Sequence, residues 1–211
     1  MSTHNPLPYR GRLAPTPTGE LHLGHARTFL QAWRRARGVG GKIFMRIEDL
    51  DTQRCKPEFA RQAIEDLKWL GLDWDGEMAF QSNHSTRYLD AWRKLKEAGF
   101  IYPCKKSRKE IRARRPPQDP DEQDVEAIFP MEWRPEPGAE KGFDSPEGVT
   151  WRFRVPDGQE IEFTDVHNGK CVYIAGEDFG DFSIWRRDGV PAYELSVVVD
   201  DIHQGITEVV R

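Results

Sequence analysis

RLAPTPTGELHLGH, the stretch from Arg12 to His25, decides the fold. It continues a short extended segment that starts at Tyr9, turns through two prolines and Gly19, and leads into a helical pattern. The pattern consists of apolar residues at spacings of three and four: Ala26, Phe29, Leu30, Trp33 and Ala36. A strand, a Pro/Gly turn and a helix start favour phosphate binding, because the first helical turn has unpaired N–H groups and the positive end of the helix dipole.

The end of this stretch, His22-Leu23-Gly24-His25, suits a nucleotide, although neither common phosphate-loop pattern is present. Gly24 has no Cβ, so a base or ribose can lie against its backbone. His22 and His25 can donate hydrogen bonds to phosphate oxygens as charge develops in a transition state. Two other interpretations stay open: both histidines are ordinary surface residues, or they form half of the metal site of a hydrolase together with nearby acids.

A second strand is predicted for Lys42–Ile47, after a helix stop at Gly40-Gly41. The order strand, helix, strand favours a parallel sheet, in which ligands bind at the carboxyl ends of the strands. Glu48 follows the second strand and can hold an ammonium group, and Arg12 near the end of the first strand can hold a carboxylate. Together they suit an amino acid with an acidic side chain, and an ordinary surface ion pair is the alternative.

Together with RIEDLD at residues 46–51, this stretch resembles the class I aminoacyl-tRNA synthetases, and within them the glutamyl branch. The resemblance runs from Tyr9 to Arg211 through several segments in order. It implies an α/β fold, a Rossmann-like parallel-sheet nucleotide-binding domain with a mixed α+β insertion. The implied domains are 1–103, the first half of the catalytic domain; 104–190, an acceptor-binding insertion; and 191–211, a return to the catalytic sheet.

The resemblance also implies ligands and residue roles. An enzyme of this kind activates L-glutamate with ATP and Mg²⁺ and passes the glutamyl group to tRNA. His22 and His25 would be catalytic, and Leu23 and Gly24 would bind ATP. The implied glutamate pocket consists of Arg12, Leu13, Ala14, Pro15, Thr16, Glu48, Tyr193 and Arg211.

One position points to a subfamily. Discriminating glutamyl-tRNA synthetases usually carry Asn four residues after the Tyr that Tyr193 matches, whereas this chain has Val197. With FTD at 163–165, EDF at 177–179 and RRDG at 186–189, the chain resembles the glutamyl-queuosine tRNA(Asp) synthetases, which attach glutamate to the queuosine base of tRNA(Asp). The alternatives are a truncated discriminating glutamyl-tRNA synthetase and a non-catalytic synthetase-like module that binds RNA or a partner protein.

The implied insertion carries a basic run, KKSRKEIRARR at residues 105–115, which is either a solvated helix or a contact for an RNA backbone. Its first five residues look like the family's Lys-rich ATP loop, but that loop belongs beyond the insertion. Many relatives of this type are also expected to carry zinc here. Cys104 is the one zinc ligand that this sequence retains, and Lys106 stands where the second Cys would be. One thiolate cannot hold zinc, so we predict none.

Composition sets further expectations. The formal net charge of −4 argues against a generic nucleic-acid coat protein. Three scattered cysteines, no signal-peptide pattern and no long apolar run predict a cytoplasmic protein that does not bind membranes, and we expect a monomer. Because the sequence ends at Arg211, we expect the second half of the nucleotide fold and the Lys-rich loop to be missing, which would impair adenylate formation by this chain.

The rest of the sequence predicts individual elements. Apolar periodicity predicts helices over Pro57–Leu70 and Thr86–Ala98. Alternation predicts four strands, at residues 149–155, 160–163, 171–174 and 182–185. Asp157-Gly158 predicts a hairpin that joins the first two of these strands. The run Leu195–Val199 favours a strand that is buried on both faces.

Overall fold

The computed structural model describes residues 8–114 and 128–211. Within these ranges the chain forms two compact units: unit 1 comprises residues 8–88 and 196–211, and unit 2 comprises residues 89–114 and 128–195. The unit boundaries differ from those of the three segments named above, whose boundaries stay predictions. Of the basic run at 105–115, Arg115 lies outside the described residues.

Unit 1 contains a parallel three-stranded sheet in the order β1-β2-β3. The strands are β1 (Arg10–Leu13), β2 (Lys42–Ile47) and β3 (Ala79–Phe80). Leu13 at the end of β1 pairs with Met45 near the end of β2. The carboxyl ends of these two strands are therefore neighbours, and the predicted parallel pair is confirmed.

Two helices cover one face of this sheet. They are α1 (Leu23–Gly38) and α2 (Pro57–Trp69), which confirms both predicted helices. The core that they form with the sheet contains Leu13, Phe29, Ala32, Ala36, Ile43, Met45, Ile47, Ala60 and Leu67. Because strand side chains alternate between faces, Arg12 of β1 and Arg46 of β2 lie on the opposite face of the sheet.

The predicted strand at Leu195–Val199 is wrong, because these residues belong to a helix, α5 (Tyr193–Gln204). A short run rich in valine favours a strand locally, yet periodicity alone cannot separate a short buried strand from a helix. Ser196 and Asp200, four residues apart, are both buried, whereas Val198 is exposed. This is helical spacing, and tertiary contacts override the local β-propensity.

Side-chain contacts within unit 1 place the end of α5 on the sheet face that carries Arg12 and Arg46. Asp201 forms ion pairs with both arginines. Beyond the helix, Thr207 donates its backbone N–H to the carbonyl oxygen of Arg10 at 2.9 Å. The last residues of the chain therefore run beside β1.

The described part of unit 2 contains two antiparallel sheets, one in the order β4-β5-β8 and one that pairs β6 with β7. The strands are β4 (Ile101–Cys104), β5 (Thr150–Phe153), β6 (Glu160–Asp165), β7 (Gly169–Ile174) and β8 (Phe182–Trp185). The four strands predicted between residues 149 and 185 are therefore confirmed. The predicted hairpin is wrong, because β5 pairs with β4 and β8 and not with β6.

The turn at Asp157-Gly158 exists but serves another connection. Gly158 has a φ of 75°, which favours glycine. Its N–H donates to the carbonyl oxygen of Ala175 at 2.8 Å, and the Asp157 carboxylate is bound by Arg134. These contacts direct the chain into the β6–β7 pair instead of back along β5.

The remaining helices in the described ranges are α3 (Ser85–Glu97), as predicted, and α4 (Arg108–Arg114). Short 3-10 helices in the same ranges span Gln81–His84, Met131–Trp133 and Ala139–Gly142. In the basic run, Lys106 forms an ion pair with Glu110, and Arg114 forms one with Glu132. The solvated-helix and RNA-contact interpretations of the run both remain open. In the part of the chain that the structure describes, no helix combines the length and apolar character needed to cross a membrane.

Candidate functional site

In unit 1, the segment after β1 lies against the segment after β2. The backbone N–H of Glu48 donates to the carbonyl oxygen of Pro15 at 3.0 Å. The hydroxyl of Thr16 donates to Oε2 of Glu48 at 3.3 Å. Two parts of the predicted pocket, 32 residues apart in sequence, therefore form one surface.

Glu48 is a buried carboxylate whose other oxygen is bound by Arg46. Nη2 and Nε of Arg46 lie 3.0 and 3.3 Å from Oε1 of Glu48. Burial raises the pKa of Glu48, and the positive charge of Arg46 opposes that rise. Among the described hydrogen bonds, Oε2 accepts from Thr16 alone, so it has a lone pair left for a ligand ammonium group.

The side chain of Arg12 is held at one end. Its Nε lies 3.0 and 3.2 Å from the two carboxylate oxygens of Asp201. Asp201 also accepts from Nη1 of Arg46 at 2.7 Å. Within the described residues, the side-chain hydrogen bonds of Arg12 use Nε and leave both Nη atoms for a carboxylate.

Leu13 and Pro15, the neighbours of Arg12 in sequence, offer a ligand different groups from Arg12. The side chain of Leu13 is fully buried in the core on the opposite face of the sheet. Pro15 has no N–H, and its carbonyl oxygen accepts from Glu48. Leu13 can therefore offer a ligand only its main-chain atoms. The roles of Leu13, Ala14 and Pro15 in glutamate binding stay predictions.

His22 and His25 cap the first turn of α1. Nδ1 of His22 accepts from the N–H of Gly24 at 3.1 Å, and Nδ1 of His25 accepts from the N–H of His22 at 3.2 Å. The two rings stack with their centroids 3.7 Å apart. A ring nitrogen that accepts carries no proton, so each neutral ring keeps its proton on Nε2. Both histidines therefore present an Nε2–H donor where a phosphate is favoured.

The charge of the second histidine suits this arrangement. Partial burial lowers the pKa of His25, and the neighbouring His22 adds to the lowering. Both effects favour the neutral ring, which is the form that the hydrogen bond to Nδ1 requires. The catalytic roles of the two histidines stay predictions.

Gly24 is required by the cap itself. A Cβ at this position would lie 2.9 Å from Cε1 of the His22 ring, closer than such atoms approach in proteins. The predicted approach of a base or ribose to Gly24 gives a second reason for glycine and stays a prediction. The Leu23 side chain faces solvent, with 85% of its surface exposed, and its contact with ATP also stays a prediction.

Two further residues of the predicted pocket are Tyr193 and Arg211. Tyr193 belongs to unit 2, where it is the first residue of α5 and is more than half exposed. Arg211 belongs to unit 1 and is exposed. The described hydrogen bonds and ion pairs join Arg12, Thr16 and Glu48 into one group and do not include Arg211. The roles of Tyr193 and Arg211 stay predictions.

Sequence reasoning missed Arg46 and Asp201 as members of the site. The predicted strand ends at Val199, before Asp201, and the helical form of α5 brings Asp201 against Arg12. A signal was present in the sequence. Ser196 and Asp200 are small or polar residues four apart, and a continuous run of buried strand positions does not explain them.

One alternative interpretation of the sequence is a metal site built from the histidines and the nearby acidic residues. In the described ranges, no cluster of three or more His, Cys, Asp and Glu side chains is arranged to hold a metal ion. Asp49 instead accepts hydrogen bonds from the N–H and hydroxyl of Ser82 at 2.9 and 2.7 Å. Cys104 lies in an apolar cluster of unit 2 with Tyr102, Ile111 and Phe129. Both the zinc prediction and the hydrolase alternative remain untested.

The parallel sheet and the capped helix start are features of nucleotide-binding α/β domains. The paired charges at adjacent strand ends suit an amino acid as a second ligand. The sequence model of the family described as tRNA synthetases class I (E and Q), catalytic domain, matches residues 9–211. The chain belongs to this family. The predicted Rossmann-like fold class and the resemblance to this family are thereby confirmed.

Within this family, the chain is similar along most of its length to synthetases of two kinds. The chain is 42% identical over 212 residues to the glutamyl-Q tRNA(Asp) synthetase of Symbiobacterium thermophilum, and the match covers 95% of this chain and 64% of the relative. It is 40% identical over 207 residues to the glutamate–tRNA ligase of Leptothrix cholodnii, over 97% of this chain and 43% of the relative.

A solved structure agrees with the fold. The crystal structure of a glutamate tRNA ligase from Elizabethkingia meningosepticum, in complex with its amino acid, matches with a TM-score of 0.73 and 28% identity. The match covers 95% of this chain and 43% of that one. The chain thus spans less than two thirds of the length of each of these relatives.

Proposed function

We propose that this chain forms the glutamate- and ATP-binding part of an enzyme that activates glutamate and transfers it to the queuosine base of tRNA(Asp). The observation that carries the proposal is the pairing of Arg12 and Glu48 at adjacent strand ends. Arg12 offers two Nη atoms to a carboxylate, and Glu48 offers an oxygen to an ammonium group. In glutamate, the side-chain carboxylate can bind Arg12 and the ammonium group can bind Glu48, while the α-carboxylate stays available for reaction.

Activation would proceed by attack of a glutamate α-carboxylate oxygen on the α-phosphorus of ATP, with pyrophosphate as the leaving group. Arg12 and Glu48 orient the amino acid for this attack. His22 and His25 donate from Nε2 to phosphate oxygens as negative charge grows on them. Mg²⁺ would be bound mainly by the phosphates of ATP and would neutralise part of their charge. The rate then comes from positioning and charge stabilisation, without a covalent enzyme intermediate.

The choice of acceptor rests on similarity. Relatives named glutamyl-Q tRNA(Asp) synthetase are 42% and 41% identical to the chain, and they match it along 95% of its length. Val197 supports the same choice, since the resemblance associates Asn at this position with discriminating glutamyl-tRNA synthetases. The second candidate is such a glutamyl-tRNA synthetase, which the 40% identity to a glutamate–tRNA ligase supports.

Glutamate-dependent ATP–pyrophosphate exchange tests the activation step. It is measured without tRNA, on this chain and on the complete gene product. Exchange by the complete product without tRNA supports the proposal. Exchange that appears only after tRNA(Glu) is added supports the second candidate. No exchange under any condition contradicts both candidates and favours a module that binds RNA or a partner protein.

The acceptor is tested separately, by transfer of labelled glutamate to tRNA(Asp) with and without queuosine. The proposal predicts label on the queuosine-containing tRNA alone, bound at the modified base. Label on the 3′ end of tRNA(Glu) would contradict the proposed acceptor and leave the activation step intact.

A further inference from the structure

Four charged side chains of unit 1 alternate in sign and connect the two ends of the proposed amino-acid pocket. Arg12 contacts Asp201, Asp201 contacts Arg46, and Arg46 contacts Glu48. All are largely buried, with side-chain exposures of 9% for Arg12, 19% for Asp201, 1% for Arg46 and 6% for Glu48. We call these four residues the charge chain. Its two outer members, Arg12 and Glu48, are the proposed ligand contacts, and its inner members touch no proposed ligand.

Asp201 binds the guanidinium group of Arg12 at Nε. Both carboxylate oxygens lie within 3.2 Å of Nε, and no described hydrogen bond uses Nη1 or Nη2 of Arg12. The guanidinium is planar and its donors have fixed directions. Fixing Nε therefore fixes the direction in which the Nη pair points.

A second contact of Asp201 restricts the position of its carboxylate and therefore the orientation of the Arg12 guanidinium. Oδ1 also accepts from Nη1 of Arg46 at 2.7 Å, and Arg46 donates to the Gln204 side chain at 2.7 Å. Arg46 is almost completely buried. Asp201 thus joins Arg12, the arginine of the proposed pocket, to Arg46, which cannot move without disturbing β2.

We propose that Asp201 is a positioning residue for glutamate recognition: it holds Nε of Arg12 so that both Nη atoms face the substrate carboxylate. This inference rests on the proposed function, since it assumes that Arg12 binds glutamate. It adds a residue that touches neither substrate and yet sets the affinity for one of them. Asp200, the adjacent carboxylate, is excluded from this role because it bonds to Gln81, Arg87 and Tyr88.

The test compares Asp201→Ala and Asp201→Asn with Asp75→Asn in the complete gene product. Asp201→Asn keeps the shape of the side chain and guards against a failure to fold. Asp75 is a matched control, because it also binds an arginine of unit 1, Arg37, but lies outside the charge chain. KM values for glutamate and for ATP are measured by ATP–pyrophosphate exchange, with tRNA present if the wild type requires it.

The expected result is a rise of about tenfold or more in the KM for glutamate in Asp201→Ala, because a charge-assisted contact is lost. A smaller rise is expected in Asp201→Asn, and the KM for ATP should not change in either variant. Asp75→Asn should leave both KM values at the wild-type level. Equal rises in both KM values, or an unchanged KM for glutamate, would overturn the inference.

A second readout separates positioning from general support of the fold. Lysine lacks the forked donors, so in an Arg12→Lys background Asp201 has no guanidinium to orient. Asp201→Ala should then change the KM for glutamate far less than it does in the wild type. An undiminished change would show that Asp201 acts through the fold and would overturn the inference. If the wild type activates no glutamate with any tRNA, the proposed function fails and this inference fails with it. If the wild type is active and the Asp201 variants match it, only this inference fails.

Discussion

Each unit contains a cluster of buried arginine and carboxylate groups, and the two clusters are completed differently. In unit 2, Asp181 accepts from the Tyr102 hydroxyl, from Nε and Nη2 of Arg134 and from the N–H of Val155. The chain itself therefore fills the acceptor positions of both oxygens. We call this group, with Asp157 as the second partner of Arg134, the closed cluster.

The charge chain of unit 1 has the same types of residue and is not filled by the chain. Oε2 of Glu48 has one described donor, Thr16, and the Nη atoms of Arg12 have no described acceptor. Buried polar groups are costly unless they are satisfied. A network that leaves groups available at its outer members is suited to a charged ligand, whereas a network that is complete is suited to holding a fold together.

The largest expected effect is the loss of activity when Glu48 or Arg12, the two outer members of the charge chain, is changed. Glu48→Gln should lower glutamate-dependent ATP–pyrophosphate exchange by about a hundredfold or more, because a buried charge that faces the ligand ammonium group is lost. Arg12→Ala should have an effect of the same order. The midpoint of thermal unfolding should fall less than in the unit 2 variant described next, because Arg46 keeps Asp201 and Gln204 as acceptors. Exchange at the wild-type rate in either variant would contradict the pocket.

The closed cluster should respond in the opposite way. Asp181→Asn should lower the free energy of unfolding by about 3 kcal/mol, because Arg134 loses a buried charge partner and the amide NH2 group replaces one of the two acceptor oxygens in a site lined by donors. Urea denaturation measures this loss. Below the unfolding transition, the KM for glutamate should match the wild type. A stable variant that binds glutamate poorly would reverse the roles of the two clusters.

The pKa shifts of the two clusters have opposite signs, so acid should affect the clusters differently. Burial raises the pKa of Glu48 above its ordinary value of 4.5, so as pH falls its carboxylate is protonated earlier than usual and loses its attraction for an ammonium group. Below that pKa, the affinity for glutamate should fall by about tenfold per pH unit. Because the folded state binds this proton more readily than the unfolded state, Glu48 itself favours the fold as pH falls.

Asp157 of the closed cluster behaves differently. Hydrogen bonds from Arg134 lower its pKa, so its contribution to stability is present above its unfolded pKa and is lost as pH falls through its folded pKa. Carboxyl ¹³C shifts, assigned with Glu48→Gln and Asp157→Asn, measure both values. A midpoint for Glu48 at or below 4.5, or one for Asp157 above 3.8, would contradict this contrast.

The first half of unit 1 could be predicted from sequence because its signals are local. The turn after Arg12, the apolar spacing from Ala26 and the run at Lys42–Ile47 each predict one element. The rule that parallel strands share one carboxyl edge then brings Arg12 near Glu48, and the hydrogen bond from Thr16 to Glu48 agrees with it.

The position of Asp201 in the charge chain could not be predicted in this way. It depends on α5, and three adjacent valines hide the helical spacing of α5 from a local analysis. The hairpin at Asp157-Gly158 failed for a related reason, because Arg134 and Ala175 determine the path of the chain there. Where distant partners decide the conformation, local propensity is a weak guide.

The smallest effect is expected at an ion pair that is not buried. This pair separates the contribution of charge pairing from that of burial. Lys170 and Glu162 form an ion pair of 2.7 Å on the β6–β7 sheet, with side chains 64% and 50% exposed. Water already solvates both groups, so Glu162→Gln should lower the free energy of unfolding by less than about 0.5 kcal/mol, and salt should reduce even that. Urea denaturation at low and high salt measures it. A loss as large as that expected for Asp181→Asn would mean that charge pairing, and not burial with complete hydrogen bonding, distinguishes the closed cluster.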